Sequence, residues 1–335
     1  MRLLLGLILP IVAIPIHAQW VRQQVDTTAS FRGLAVVSEK IIWASGTGGT
    51  VIRTIDGGKT WNVITVPGAE KLDFRDIEAF DANTAYILSI GNGDLSRIYN
   101  TTDGGKTWKL QFRNEDPKKF FDAMACVRPA ICFAVSDPVE AQFPLIVTTS
   151  GGEKWNAGTD KIPSAKDGEA AFAASGTCLF VGPGTSLFLV SGGNDSRVFR
   201  TSQINEASGW KVADTPIVKG TPGSGIFSIA MFDQKNGVIV GGNYEKPDEH
   251  EKNLAFTRDG GVTWQLMPGL SGYRSGVSYI DRKTIIAVGT NGSDITRDGG
   301  KTWTVVGKEN LNAVASKGRR VTWAVGPKGM VVKLK

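Results

Sequence analysis

Three arginines, Arg32, Arg75 and Arg274, each fall near the start of a short segment: FRGLAVV (31–37), FRDIEAF (74–80) and YRSGVSY (273–279). Guanidiniums that converge can grip a carboxylate through paired N–H donors, a geometry lysine does not offer. Acidic groups occupy neighbouring or matching places. Asp76 follows Arg75, Asp122 lies in FFDAMAC (120–126), Glu169 lies in GEAAFAA (168–174), and Tyr273 precedes Arg274. Two arrangements use such a set. In the first the arginines bind an acidic ligand. In the second the charges pair with one another as an internal network, because buried charges must be compensated.

The composition removes most other chemistry. The chain holds two histidines, His17 and His250, and His17 falls in a leader, so no triad has a positioned imidazole base. Zinc sites of the usual kinds lack nitrogen ligands, and there is no phosphate-binding loop or dinucleotide fingerprint. No metal and no cofactor are expected. The formal charge is +6, and it becomes +5 when Arg2 leaves with the leader. The lysines are spread among turns, without a basic and aromatic stripe, so no nucleic acid is expected as partner.

Residues 1–18 form that leader, a signal peptide. Arg2 is its charged start, Leu3 to Ile16 its apolar core, and Ile16-His17-Ala18 its cleavage site. Export to a periplasm, a thylakoid lumen or the extracellular space follows, and no later stretch is long and apolar enough for a transmembrane segment. Three cysteines follow. Cys126 and Cys132 flank a short turn and could face each other in a disulfide, as export permits, or all three, Cys178 included, could be buried thiols.

The element that positions everything is a repeat. TIDGGKTW (54–61) recurs as TTDGGKTW (101–108), TRDGGVTW (257–264) and TRDGGKTW (296–303), with weaker copies at TTSGGEKW (148–155) and around Trp210. Each copy reads as a hairpin turn. Asp56, Asp103, Asp259 and Asp298 bond to backbone N–H groups of their own turn, paired glycines adopt positive φ, and Trp61, Trp108, Trp264 and Trp303 bury apolar surface at the next strand. The tryptophans at 20, 61, 108, 155, 210, 264 and 303 set a period of 39–55 residues, the spacing of propeller blades. Seven inner-strand segments and seven apolar strands ending in small residues predict an all-β, seven-bladed β-propeller over 19–335. GMVVKLK (329–335) matches GTVIRT (49–54), and the chain then stops short of a box. The N-terminal strand around Trp20 therefore supplies the missing outer strand and closes the ring. In this frame the inner strand of blade four is 168–174, and the channel mouth carries Arg32, Arg75, Asp76, Asp122, Glu169, Tyr273 and Arg274.

The repeat is identified as the Asp-box, or BNR repeat. Within that class, WASGTGGTVIRTIDGGKTW (43–61) and WAVGPKGMVVK (323–333) resemble the photosystem II stability and assembly factor family. The resemblance implies an exported, non-catalytic seven-bladed propeller. It implies as partner another protein, a membrane-protein assembly intermediate, held on a basic upper face that is in part an arginine patch. The acidic content of the same face here departs from that pattern. Sialidases are also Asp-box propellers, with an arginine triad, and FRGL (31–34) is similar to their Phe-Arg-Ile-Pro motif without the Ile-Pro. A sialidase-like or carbohydrate-binding propeller is the alternative. That resemblance implies Arg32, Arg75 and Arg274 as the triad, Asp76 or Asp122 as general acid, and Tyr273 or Tyr279 with Glu169 as nucleophile pair for glycoside hydrolysis.

Overall fold

The computed structural model describes residues 19–158, 161–201 and 209–335, so the leader lies outside the described residues. Seven antiparallel sheets form the blades of an all-β propeller. Their inner strands are Phe31–Val36, Phe74–Ala79, Phe121–Arg128, Leu179–Val181, Ser224–Met231, Gly276–Tyr279 and Ala313–Ser316. The ring closes as expected. Trp20–Arg22 pairs antiparallel with Val331–Leu334, with Trp20 opposite Leu334, and becomes the outer strand of blade seven. Trp20 is 6% exposed and donates its indole N–H to Ser293 Oγ at 2.7 Å.

The boxes are turns between third and fourth strands and explain their own sequence. Asp56 Oδ1 accepts from Thr54 Oγ1 (2.8 Å) and Thr60 N (3.0 Å), and Oδ2 accepts from Thr60 Oγ1 (2.7 Å). The threonine hydroxyls hold the carboxyls of Asp56 and Asp103 down at about 2. The same contacts recur at Asp259 and Asp298. Gly57 N bonds Lys40 O at 3.0 Å, tying the box to the first hairpin turn of its own blade on the lower face. Gly58 has φ +89°, and a Cβ there would lie 2.4 Å from the Trp323 ring of the neighbouring blade. The residue is glycine because two blades pack through that point. Trp61 meets the same ring edge-on at 5.6 Å.

Phe31, Phe74 and Phe121 head their inner strands, fully buried between blades. One residue later the register slips at Arg32, Arg75, Asp122 and Phe227. This repeated bulge turns each of those side chains toward the axis.

Blade four departs from the expectation. Its inner strand is Leu179–Val181, not 168–174. Of the predicted segment only Glu169–Ala170 is strand, and it pairs with Gly192–Gly193. Residues 171–177 instead run across the central channel. Ala171 N bonds Asp137 Oδ1 of blade three at 2.9 Å, and Ser175 Oγ bonds Ser275 O of blade six at 2.8 Å. Thr177 and Ser228 of blade five pair through their hydroxyls at 2.6 Å. The physical reason is side-chain size. AFAASG (171–176) is mostly small, and Gly176 has φ +76° with its missing Cβ only 2.3 Å from Asp76 Oδ1 of blade two. Such a segment threads a channel that larger residues would not fit. Cys126 and Cys132 are cross-strand partners in blade three and are joined by a disulfide, while Cys178 is a buried free thiol.

Candidate functional site: the upper channel mouth

The plug gives the mouth a floor. Arg75 Nη1 donates to Ala173 O at 3.2 Å and Arg32 Nη1 to Ala174 O at 3.0 Å, so the two guanidiniums lie side by side on plug carbonyls. Arg75 is also paired with Asp73 (Nε to Oδ2, 2.8 Å). Arg32 forms no salt bridge among the described residues. Burial, then the adjacent Arg75 charge, push it below the ordinary arginine range. Two like charges at such proximity favour an anion between or above them.

The opposite wall is aromatic. Phe172 stacks on Phe227 with ring centroids 4.1 Å apart, and Tyr273 meets Phe227 edge-on at 4.8 Å. With Tyr244, Ser275, Thr290 and Asn312 these groups enclose a cavity of about 290 Å³. Burial raises the Tyr273 hydroxyl well above its usual range, so it stays protonated and available as a donor.

Of the predicted mouth residues, Arg32, Arg75 and Tyr273 line this cavity. Arg274 does not. It lies fully buried inside blade six, with Nη2 2.6 Å and Nε 2.8 Å from Asp294 Oδ2 and Nη1 on Tyr273 O and Asn291 Oδ1. The cause is a one-residue offset. Gly289 faces Tyr273 O and the Arg274 Cα, as Gly46 faces Ser30 O and Phe31. Arg274 thus takes the interblade place of Phe31, and Ser275 takes the axial place of Arg32. A shift of one residue in a strand moves a side chain to the other face. In blade seven the same alignment, with Gly326 facing Asn310 O and the Leu311 Cα, puts Asn312 at the mouth.

Glu169 is also elsewhere. Its carboxylate is gripped by Arg197 through Nε at 2.9 Å and through a second contact from Nη2, and it accepts Lys166 N at 2.8 Å. Both side chains are buried. Among the described residues no glutamate lines this cavity beside Tyr273 or Tyr244. Asp76 lies below the plug and Asp122 is buried, and neither lines this cavity. Asp76 accepts from Ile77 N at 2.8 Å and Met124 N at 2.6 Å, and burial lifts it to about 7. Burial, then Asp137, hold Asp122 well above the carboxylate range. Underneath, the channel continues as a separate cavity of about 470 Å³ that includes Asp76, Glu78 and Phe180.

Phe172, Tyr244 and Ser275 were not legible as mouth residues. The available signals were the strand-end glycines, which fix the axial position in each blade, and the 55-residue gap between Trp155 and Trp210, which leaves room for an excursion.

Comparison with known proteins places the chain. The model of the family described as photosynthesis system II assembly factor YCF48 matches residues 12–161. No curated protein matches the sequence. A solved structure of YCF48 bound to a D1 peptide is 17% identical over 94% of this chain and 96% of that chain, with a TM-score of 0.68. YCF48 from Cyanidioschyzon merolae is 18% identical over 94% and 98%, at 0.65. A streptogramin B lyase reaches 0.69 over 96% and 98% at 8% identity, which shows how widely the fold is shared. The chain is therefore a seven-bladed BNR-type β-propeller that resembles the photosystem II assembly factors.

Proposed function

We propose that this protein is an exported, non-catalytic propeller that holds an acidic segment of a protein partner at its upper channel mouth and assists assembly of an envelope or thylakoid membrane complex. The observation that carries the reading is Arg32, a guanidinium without a salt-bridge partner among the described residues, set beside Arg75 on a closed floor and facing an aromatic wall. A carboxylate arriving there replaces water with charge-assisted hydrogen bonds worth ~1.5–3 kcal/mol each. The rings supply apolar surface for the flanking residues of an extended peptide. The match to the YCF48 family model and the peptide-bound YCF48 structure support the same reading.

The test is capture from native envelope extract by the mature protein, with an Arg32→Ala/Arg75→Ala variant in parallel. Recovery of one membrane protein by the wild type alone is expected. Synthetic peptides from its exposed acidic segments should then bind with at least roughly tenfold loss in the variant. Equal recovery by both baits would remove the mouth as the site. If no protein is recovered and an acidic sugar binds the wild type only, the mouth is a carbohydrate site instead.

A further inference from the structure

The lower face carries a second feature that the mouth does not use. Its turns in blades six, seven and one form one basic arc. Blade six contributes Arg282 and Lys283 from the first hairpin turn and Arg297 and Lys301 from the box, all exposed. Gly299 N bonds Lys283 O at 2.8 Å, so the two turns touch. Blade seven contributes Lys317, Arg319 and Arg320, exposed on a single turn of 3-10 helix and its N-cap. Arg319 reaches back to Asp281 of blade six at 2.7 Å, and Arg320 reaches forward to Glu39 of blade one at 3.8 Å. Lys40 and Lys59 continue the arc, exposed, on turns joined by the bond from Gly57 N to Lys40 O.

The acids of these turns are already committed. Asp56 and Asp298 are taken up by their boxes. Asp281 accepts Lys283 N, Thr284 N and Arg319, and Glu39 faces Arg320. Nine bases against four acids leave +5, equal to the net charge of the whole chain once Arg2 is removed from +6. The surplus is thus held in one sector of one face. On the described lower turns of blades two and three, Asp81, Asp103 and Glu153 balance Lys106, Arg128 and Lys154. At the tip of the first box, between Lys40 and Lys59, Ile55 is 54% exposed. The corresponding position is Thr102 in the second box and Arg258 and Arg297 in the last two.

We propose that this arc docks the propeller on an anionic lipid bilayer. The bases lie on turn tips along one face of a disc, which suits a flat charged surface. An exposed aliphatic tip among lysines is the pattern that enters the headgroup region. A nucleic acid would call for a groove or for stacking aromatics, and the arc offers neither. Lipid contact at this face leaves the upper mouth free, so the two surfaces work independently.

The test is co-sedimentation of the mature protein with vesicles of phosphatidylcholine alone or with roughly one-third phosphatidylglycerol. Binding is expected to the anionic vesicles only, and to fall as salt shortens the screening length. Each basic side chain near such a surface is worth about fivefold in partition. Lys283→Glu/Lys301→Glu/Lys317→Glu should therefore lose at least ~100-fold, and Ile55→Ser a further few-fold. Lys71→Glu/Lys109→Glu/Lys211→Glu makes the same change in net charge on other exposed lysines and should stay within about twofold of wild type. Arg32→Ala should bind vesicles normally, which separates this result from that at the mouth. The proposal is overturned if the anionic vesicles are not bound, if the arc variant binds like wild type, or if the control variant loses as much. Retention on heparin beads without vesicle binding would identify a soluble polyanion and also overturn it.

Discussion

Raising the pH from about 5 to about 8 should destabilise this protein, the reverse of what a surface rich in paired carboxylates gives. The cause is the channel below the plug. Asp76 is 5% exposed, and two backbone N–H groups do not outweigh the cost of burying its charge, so its folded value is about 7 against an ordinary 3.8. Between these values the folded state keeps a proton that the unfolded chain has released. Stability from this group is complete below about pH 4 and is lost as the pH rises through about 7. Each tenfold change in proton affinity is worth ~1.4 kcal/mol, so Asp76 alone removes ~3 kcal/mol between about pH 5 and 8. Asp137, lifted to about 6 by burial, removes ~1 kcal/mol more over the same window, and Asp122 and Glu78, raised by burial and then by their acidic neighbours, act in the same direction. The box aspartates Asp56 and Asp103, held at about 2, titrate below it and add no slope. Urea unfolding followed by tryptophan fluorescence reads the effect directly. For a chain of this size the loss corresponds to a midpoint lowered by about 1 M. Asp76→Ala, which copies Ala123 at the same place in blade three, should flatten the dependence by ~3 kcal/mol. Stability that is level or rises from about pH 5 to 8, or a variant with the wild-type slope, would refute the argument.

Trp20→Ala should cost ~3–5 kcal/mol in the same assay, because it empties a buried site at the ring closure and strands the Ser293 hydroxyl; a near-neutral result would remove the closure. Arg274→Met should cost ~3–5 kcal/mol by leaving Asp294 buried and unpaired, yet folded protein should keep its partner affinity. Arg32→Ala should show the opposite pattern, with little change in urea midpoint and weak capture. A stable Arg274→Met protein that no longer binds would return Arg274 to the mouth.

How much was legible depended on whether a feature repeats. The boxes, the blade number and the Trp20 closure each rest on local chemistry stated several times, so errors at one copy were outvoted by the others. The mouth is built from single residues whose facing depends on register, and a pattern of seven similar strands does not fix register to one residue. Arg274 follows an aromatic as Arg32 and Arg75 do, but only the glycine opposite, Gly289, shows that it sits one place earlier on its strand. Glu169 was misplaced for another reason. Its segment has the apolar rhythm of an inner strand, but its small residues and Gly176 suit the channel better, and Leu179–Val181 serves the blade instead. Apolar rhythm alone does not distinguish a strand from a segment that replaces solvent along the axis.

The closure also sets an order on biosynthesis. Residues 20–22 emerge before any blade and have no sheet to join until residues 331–334 have been made. Six blades can stack one upon the next while the chain is still growing, but the seventh lacks its outer strand, and the indole of Trp20 stays in water. A product that stops early keeps both an unpaired edge and a loose N-terminal arm, features that proteases and chaperones recognise. Ring closure therefore comes after synthesis of residues 331–334, and the seventh blade gains its fourth strand only then.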